Sequence, residues 1–154
     1  MHKLFTGLLL ALSFAAVAGE NKSCSLHDCA AGSMVVSYAT RSEPYFACPS
    51  QELSDYTNYV LGIIEMNAMF GEMPNISPDT GEPEQTGKSR AILDYLRIKA
   101  RVSTFDQAVA ACKKGRGGLR LMVANNPKGG TSMWVFERKT KKSFWAPKSS
   151  IDLP

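Results

Sequence analysis

The apolar positions of this chain fall into successive regimes, and each regime predicts a different kind of element. Leu4 to Val17 is an almost unbroken apolar run, interrupted only by Thr6, Gly7 and Ser13 and ending in Ala16-Val17-Ala18 ahead of Gly19. Met34 to Ala39 and Pro44 to Cys48 are short runs of strand-forming residues around the turn-like Thr40 to Glu43, which predicts a β-hairpin. The period then becomes helical: Leu53, Tyr56, Val60, Ile63 and Ile64 form one stripe, with Ser50 placed as N-cap and Gly71 as the stop. Met66, Met69 and Phe70 on the same helix read as core filler.

Residues 72–87 lose all periodicity. Pro74, Pro78 and Pro83 alternate there with Asp79, Glu82 and Glu84, predicting an exposed, mobile acidic loop. A helical spacing returns in Ser89 to Ala100 through Ile92, Leu93, Tyr95 and Leu96. A third helix is predicted from Thr104, because Thr104-Phe105-Asp106-Gln107 matches a capping box, and its end is expected at Lys113-Lys114-Gly115. Phe105, Ala108, Val109 and Cys112 share its core face. Alternation follows at Leu119, Leu121 and Val123 and again over Met133 to Arg138, with turn formers at 125–130 between them. A last strand is expected at Phe144-Trp145-Ala146, ended by Pro147. The reading is an α+β domain over residues 19–154, an antiparallel sheet with three helices in the order β-β-α-α-α-β-β-β.

The N-terminal run changes the context of everything after it. Lys3, the short apolar stretch and the small-x-small end describe a cleavable secretory signal over residues 1–18, and the alanine-rich leader points to the periplasm. Four cysteines remain, Cys24, Cys29, Cys48 and Cys112, an even number that predicts two disulfides in an oxidising compartment. Three pairings are open. The preferred one joins Cys24 to Cys29 and Cys48 to Cys112, since the second bridge would tie the two halves of the chain. Cys24, His27, Cys29 and Cys48 also make a set zinc would accept, but oxidising surroundings favour the disulfide reading.

Charge divides the molecule. Residues 19–112 hold seven Lys or Arg against twelve Asp or Glu, whereas residues 113–154 hold ten against two. The basic half also carries aromatics, so Arg120, Trp134, Arg138, Lys139, Lys141, Lys142 and Trp145 are the candidate partner-binding residues. Within it, Trp134 and Phe136 share a strand face and are expected to be buried together, while Trp145 is expected to be exposed. The partner so described is an acidic protein surface or an anionic envelope component. Nucleic acid is disfavoured because no recognition motif is present.

Catalytic and cofactor chemistry find little support. Gly81 to Ser89 imitates a phosphate-binding loop but has five residues between its glycines where four are required, follows no predicted strand and carries Glu82 and Glu84. His27 is the sole histidine after the leader, which restricts nucleophile pairs. A carboxylate pair would draw on Glu52, Asp55 or Glu65, all of which read as solvated helix positions. No cofactor, metal or catalytic residue is assigned.

Cys24-x4-Cys29-x2-Gly32 after a leader is similar to the start of small periplasmic proteins of the TrbM type, which accompany conjugative transfer machinery. The resemblance covers nine residues and implies an accessory role in an envelope machine, such as a secretion or conjugation apparatus, with no site residue carried over. The leading expectation is a non-enzymatic exported accessory or binding protein that docks through a basic C-terminal sheet. An inhibitor or immunity protein with loop 72–87 as its plug is a second reading, and a small cell-wall or peptide hydrolase a third.

Overall fold

The computed structural model describes residues 22–154, so the expected leader at 1–18 lies outside the described residues. The alternating C-terminal segments build the sheet. Strands β4 (Arg120–Asn125), β5 (Ser132–Glu137) and β6 (Lys142–Pro147) pair as successive antiparallel hairpins. Their inward positions, Leu121, Val123, Met133, Val135 and Ala146, are all buried. Full burial of such side chains contributes about 1.5–3 kcal/mol each. Strand β1 (Met34–Ser37) adds to β4 with Val35 opposite Leu121, and the two-residue β7 (Ile151–Asp152) adds to β1. The five-stranded order is β6-β5-β4-β1-β7. Single bridges, Cys48 on Trp145 and Ser23 on Asp152, cover parts of the two outer edges.

The predicted N-terminal hairpin does not form. Both edges of β1 are occupied, by β4 and β7. Strand β2 (Phe46–Ala47) turns away and pairs with β3 (Lys113–Lys114) in a separate ribbon. Two forces direct it. The disulfide of Cys48 to Cys112 fixes the chain on either side of the ribbon, and the Asn58 amide takes both backbone groups of Phe46, donating to its carbonyl and accepting from its N–H. Lys113 and Lys114 therefore belong to a strand and not to a helix end, because Cys112 leaves α3 with extended backbone.

Helix α1 (Gln51–Met69) begins where Ser50 accepts from the Leu53 N–H and stops before Gly71, whose φ of +73° ends the helix in the left-handed region. It packs against α2 (Gly87–Ala100) and α3 (Phe105–Ala111) through Tyr56, Val60, Ile63, Leu93, Ala100 and Ala108. The α3 cap differs slightly from the predicted box: Thr104 accepts from the Gln107 N–H, but the Gln107 side chain reaches the N–H of Ser103, one residue earlier. Met66, Met69 and Phe70 are not core. They are 55, 85 and 77 % exposed, because nothing among the described residues extends over that end of α1.

The acidic loop is the sharpest departure. Glu72, Asp79 and Glu84 are exposed as expected, but Glu82 is wholly buried and Pro83 is buried beside it. A compact turn holds the segment: Ser77 donates to Glu82, Glu84 to Asn75, and Phe105 to Thr80, all through backbone groups. Glu82 accepts from the Tyr56 hydroxyl at 2.8 Å and from the Arg97 guanidinium, while Arg90 lies 3.8 Å away. Burial, reinforced by this carboxylate, pushes the Tyr56 phenol well above its ordinary value. Arg97 also grips Asp94 at 2.6 Å, and with Arg90 it holds the Asp94 carboxyl below its usual range.

Two predictions follow from this packing. Glu82→Gln leaves Arg97 beside a neutral group at a buried site, and should cost about 3 kcal/mol in urea unfolding. Replacing both Cys48 and Cys112 by alanine opens a loop spanning 64 positions, and should cost about 4 kcal/mol by loop entropy, against roughly 2 kcal/mol for the five-residue span of Cys24 and Cys29. Thermal unfolding of the two double variants checks the ranking.

Candidate functional site

Alternation along the sheet sends every second residue away from the core. Met34, Met122 and Phe136 lie in one cross-strand row, and Trp134 lies opposite Trp145 in the next register position of β5 and β6. None of these side chains is buried. The two indoles stack with centroids 5.7 Å apart and planes at 30°, an arrangement worth about 0.5–1.5 kcal/mol beyond its burial. Trp134 and Phe136 do share a face, but it is the open one: Trp134 is 40 % exposed, and Trp145 is the more sheltered of the pair. The reason is that Met133 and Val135 occupy the inward positions of β5, which leaves Trp134 the outward one.

Cations converge at one end of this sheet. Arg116, Arg120, Arg138 and Lys139 line a hollow of about 640 Å³ together with Met34 and Glu137. Each is placed by backbone structure. Arg120 opens β4, opposite Val36. Arg138 and Lys139 sit in the turn between β5 and β6, where Thr140 bonds the Glu137 carboxylate at 2.6 Å. Arg116 comes from the run Gly115 to Gly118, and its carbonyl accepts from Ser37 at 2.6 Å and from the Tyr45 hydroxyl at 3.1 Å. That run tolerates little else at Gly115, since a Cβ there would fall inside the Tyr45 ring. Among the described residues, every ion pair is made on Glu82 or Asp94, so none neutralises these four cations.

Of the seven residues singled out from sequence, Arg120, Arg138 and Lys139 meet at this hollow, with Arg116 as a fourth member that sequence reasoning missed. Its signal was present in the glycines around it, which let two strands approach. Lys141 in the same turn and Lys142 at the start of β6 are exposed without lining the hollow, and Lys141 holds a left-handed φ of +54°. Trp134 and Trp145 lie farther along the same face. The structure thus places an aromatic and methionine surface beside a cationic end.

The carboxylates considered for catalysis are not brought together. Glu52 is exposed, and Asp55 accepts from Thr131 at 2.7 Å. Glu65 alone lines a large groove, which His27 and Asp28 of the Cys24–Cys29 loop also border. All four cysteines are paired, in the two bridges preferred from sequence. Among the described residues no cluster of three or more His, Cys, Asp or Glu side chains could hold a metal ion, and no helix is long and apolar enough to cross a membrane. Compared with known proteins, the chain matches no family model, no curated protein and no solved structure.

Burial, with the nearby Glu43 charge adding to it, raises the Glu65 carboxyl above its ordinary value, and its Oε1 is buried without a hydrogen-bond partner. A raised carboxyl pKa means that the folded state holds the proton more tightly than the unfolded chain, so ionisation of Glu65 opposes folding. Glu65→Gln should therefore raise the melting temperature at neutral pH. The advantage should shrink as pH falls through the raised value and protonates the wild-type carboxyl, which thermal unfolding at successive pH values will show.

Proposed function

We propose that this chain is an exported, non-enzymatic accessory protein that docks an acidic surface of an envelope partner through the open face of its sheet. The observation that carries the reading is the convergence of Arg116, Arg120, Arg138 and Lys139 on one hollow beside the single carboxylate of Glu137, none of the four in an ion pair among the described residues. Four unneutralised cations on a small protein form a field that accelerates encounter with an acidic partner and fixes its orientation. The neighbouring Met34, Met122, Phe136 and stacked indoles supply apolar area that would be desolvated on docking. The leader-like N-terminal sequence and two disulfides support an exported, periplasmic setting. A place in a secretion or conjugation apparatus is the finer form of the same proposal.

The test is capture of a partner from periplasmic extract on the immobilised protein at low and high salt. Retention should fall steeply with ionic strength, since rim charges are screened within about 10 Å at 0.1 M salt. Reversing Arg120 and Arg138 to glutamate should weaken retention at least tenfold, at roughly 0.5–1 kcal/mol for each charge lost and again for each repulsion gained. Trp134→Ala should weaken it with no change in salt dependence. Retention indifferent to salt and to both arginines would refute the proposal.

A further inference from the structure

The groove lined by Glu65 has a volume of about 1,210 Å³. It exceeds the roughly 300–1,000 Å³ of pockets that enclose small molecules. Helix α1 forms one wall through Tyr59, Leu61, Ile63 and Met66, and the opposite side comes from the Cys24–Cys29 loop, the β1–β2 connection and the C-terminal segment at Asp152 and Leu153. Apolar atoms make up the larger part of its surface, and its polar lining includes charged groups of both signs. Glu65 Oε1 is sealed from solvent without a donor, which is costly for a buried acceptor. Glu43 and Asp152 border the same space. Of the lysines on the rim, Lys22 is turned onto the Pro154 carbonyl at 3.0 Å and Lys148 onto the Pro127 carbonyl at 2.8 Å, and Lys128 lies in the turn before β5. None of them forms an ion pair with these carboxylates.

An uncovered apolar stretch begins beside the groove. Met66 lines it, and Met69, Phe70 and Met73 follow at spacings of three, four and seven residues. Met69, Phe70 and Met73 are 85, 77 and 86 % exposed. Four large flexible or aromatic side chains in one uncovered stretch are what adaptable peptide-binding surfaces use. Of the four only Met66 lines the groove; Met69, Phe70 and Met73 lie exposed at and just past the end of α1.

We propose that this groove binds a polypeptide segment of a partner protein that carries a lysine or arginine between apolar residues, with the cation on Glu65 and Glu43 and an apolar neighbour on Met66 and Met69. The carboxylates favour this sign of ligand: Lys22 and Lys148 are engaged on backbone carbonyls, leaving Lys128 on the rim against Glu43, Glu65 and Asp152, which an acidic segment would meet together. Desolvation raises both Glu65 and Asp152 above the ordinary carboxyl range, and Tyr38 is raised by its hydrogen bond with Glu43. An incoming cation would favour the ionised Glu65, which burial and the neighbouring Glu43 charge both oppose. The site is independent of the basic sheet end, so each can fail without the other.

The probe is an amidated hexapeptide alternating leucine and lysine, with the leucine–glutamate version as control, titrated into the full disulfide-bonded protein by calorimetry and followed by amide NMR. Binding of the lysine peptide should move the amides of Gly62, Glu65 and Thr131 and leave those of Arg138 and Lys139 in place. The double variant Glu43→Gln with Glu65→Gln should bind at least tenfold more weakly. Met69→Ser, a substitution at an exposed position, should weaken binding about threefold while leaving the preference for lysine over glutamate intact. Equal binding of the two peptides, unchanged affinity in the double variant, or shifts mapping to the sheet face instead would each overturn the proposal.

Discussion

The bridge between Cys48 and Cys112 is the joint on which this molecule turns. Cys48 lies at the sheet edge, exchanging both backbone hydrogen bonds with Trp145, and its sulfur meets the Thr57 hydroxyl of α1 at 3.3 Å. Its partner stands at the end of α3. One residue thus touches the sheet, the long helix and the short helix. The covalent link also decides local structure: with Cys112 drawn to Cys48, Lys113 and Lys114 run extended beside Phe46 and Ala47. A helix end that sequence alone makes persuasive is overridden by a constraint spanning 64 positions.

The legible parts were those governed by local periodicity. Helix α1 with its Ser50 cap and Gly71 stop, and the meander of β4, β5 and β6, follow from spacing and turn chemistry, and both stand as read. What was not legible depended on partners distant in sequence. Asn58 reads as an ordinary polar helix residue, yet it caps Phe46 and steers β2. Ser54 and Thr57 look solvated, yet both are fully buried, Ser54 bonded to Ser132 at 2.8 Å. Small hydroxyls of this kind let a helix lie close to a sheet while satisfying their own bonds. A hydrophobic stripe marks only one of the two faces that α1 buries.

Glu82 shows why composition misleads. A proline-broken, acidic segment satisfies every rule for an exposed loop, and most of its carboxylates obey. The exception is set by Tyr56, Arg90 and Arg97, on two helices that flank the loop in sequence. Buried charges need both a counter-charge and hydrogen bonds, and Glu82 has both. A cation at helical spacing from Leu93 was visible in the sequence. That it faced inward to meet a loop carboxylate was not.

The candidate sites divide along the same line. Charge segregation pointed to the basic half, and strand alternation correctly put Trp134 and Phe136 on one face, but alternation alone cannot say which face a helix will cover. Met133 and Val135 took the core side because they match Val123, Ala146 and Phe144 across the strands, and the larger indoles were left outside. The groove was beyond reach for a different reason: Glu43, Glu65 and Asp152 are spread along the chain, with Asp152 far in sequence from the other two, and meet only through the paths of the β1–β2 connection, α1 and β7. Both halves of the chain wall the groove, with Glu43 and Glu65 from the acidic half and Asp152 from the basic one, whereas the cations at the end of the sheet come from the basic half alone. Residues far apart in sequence thus meet at each surface, and only the folded chain brings them together.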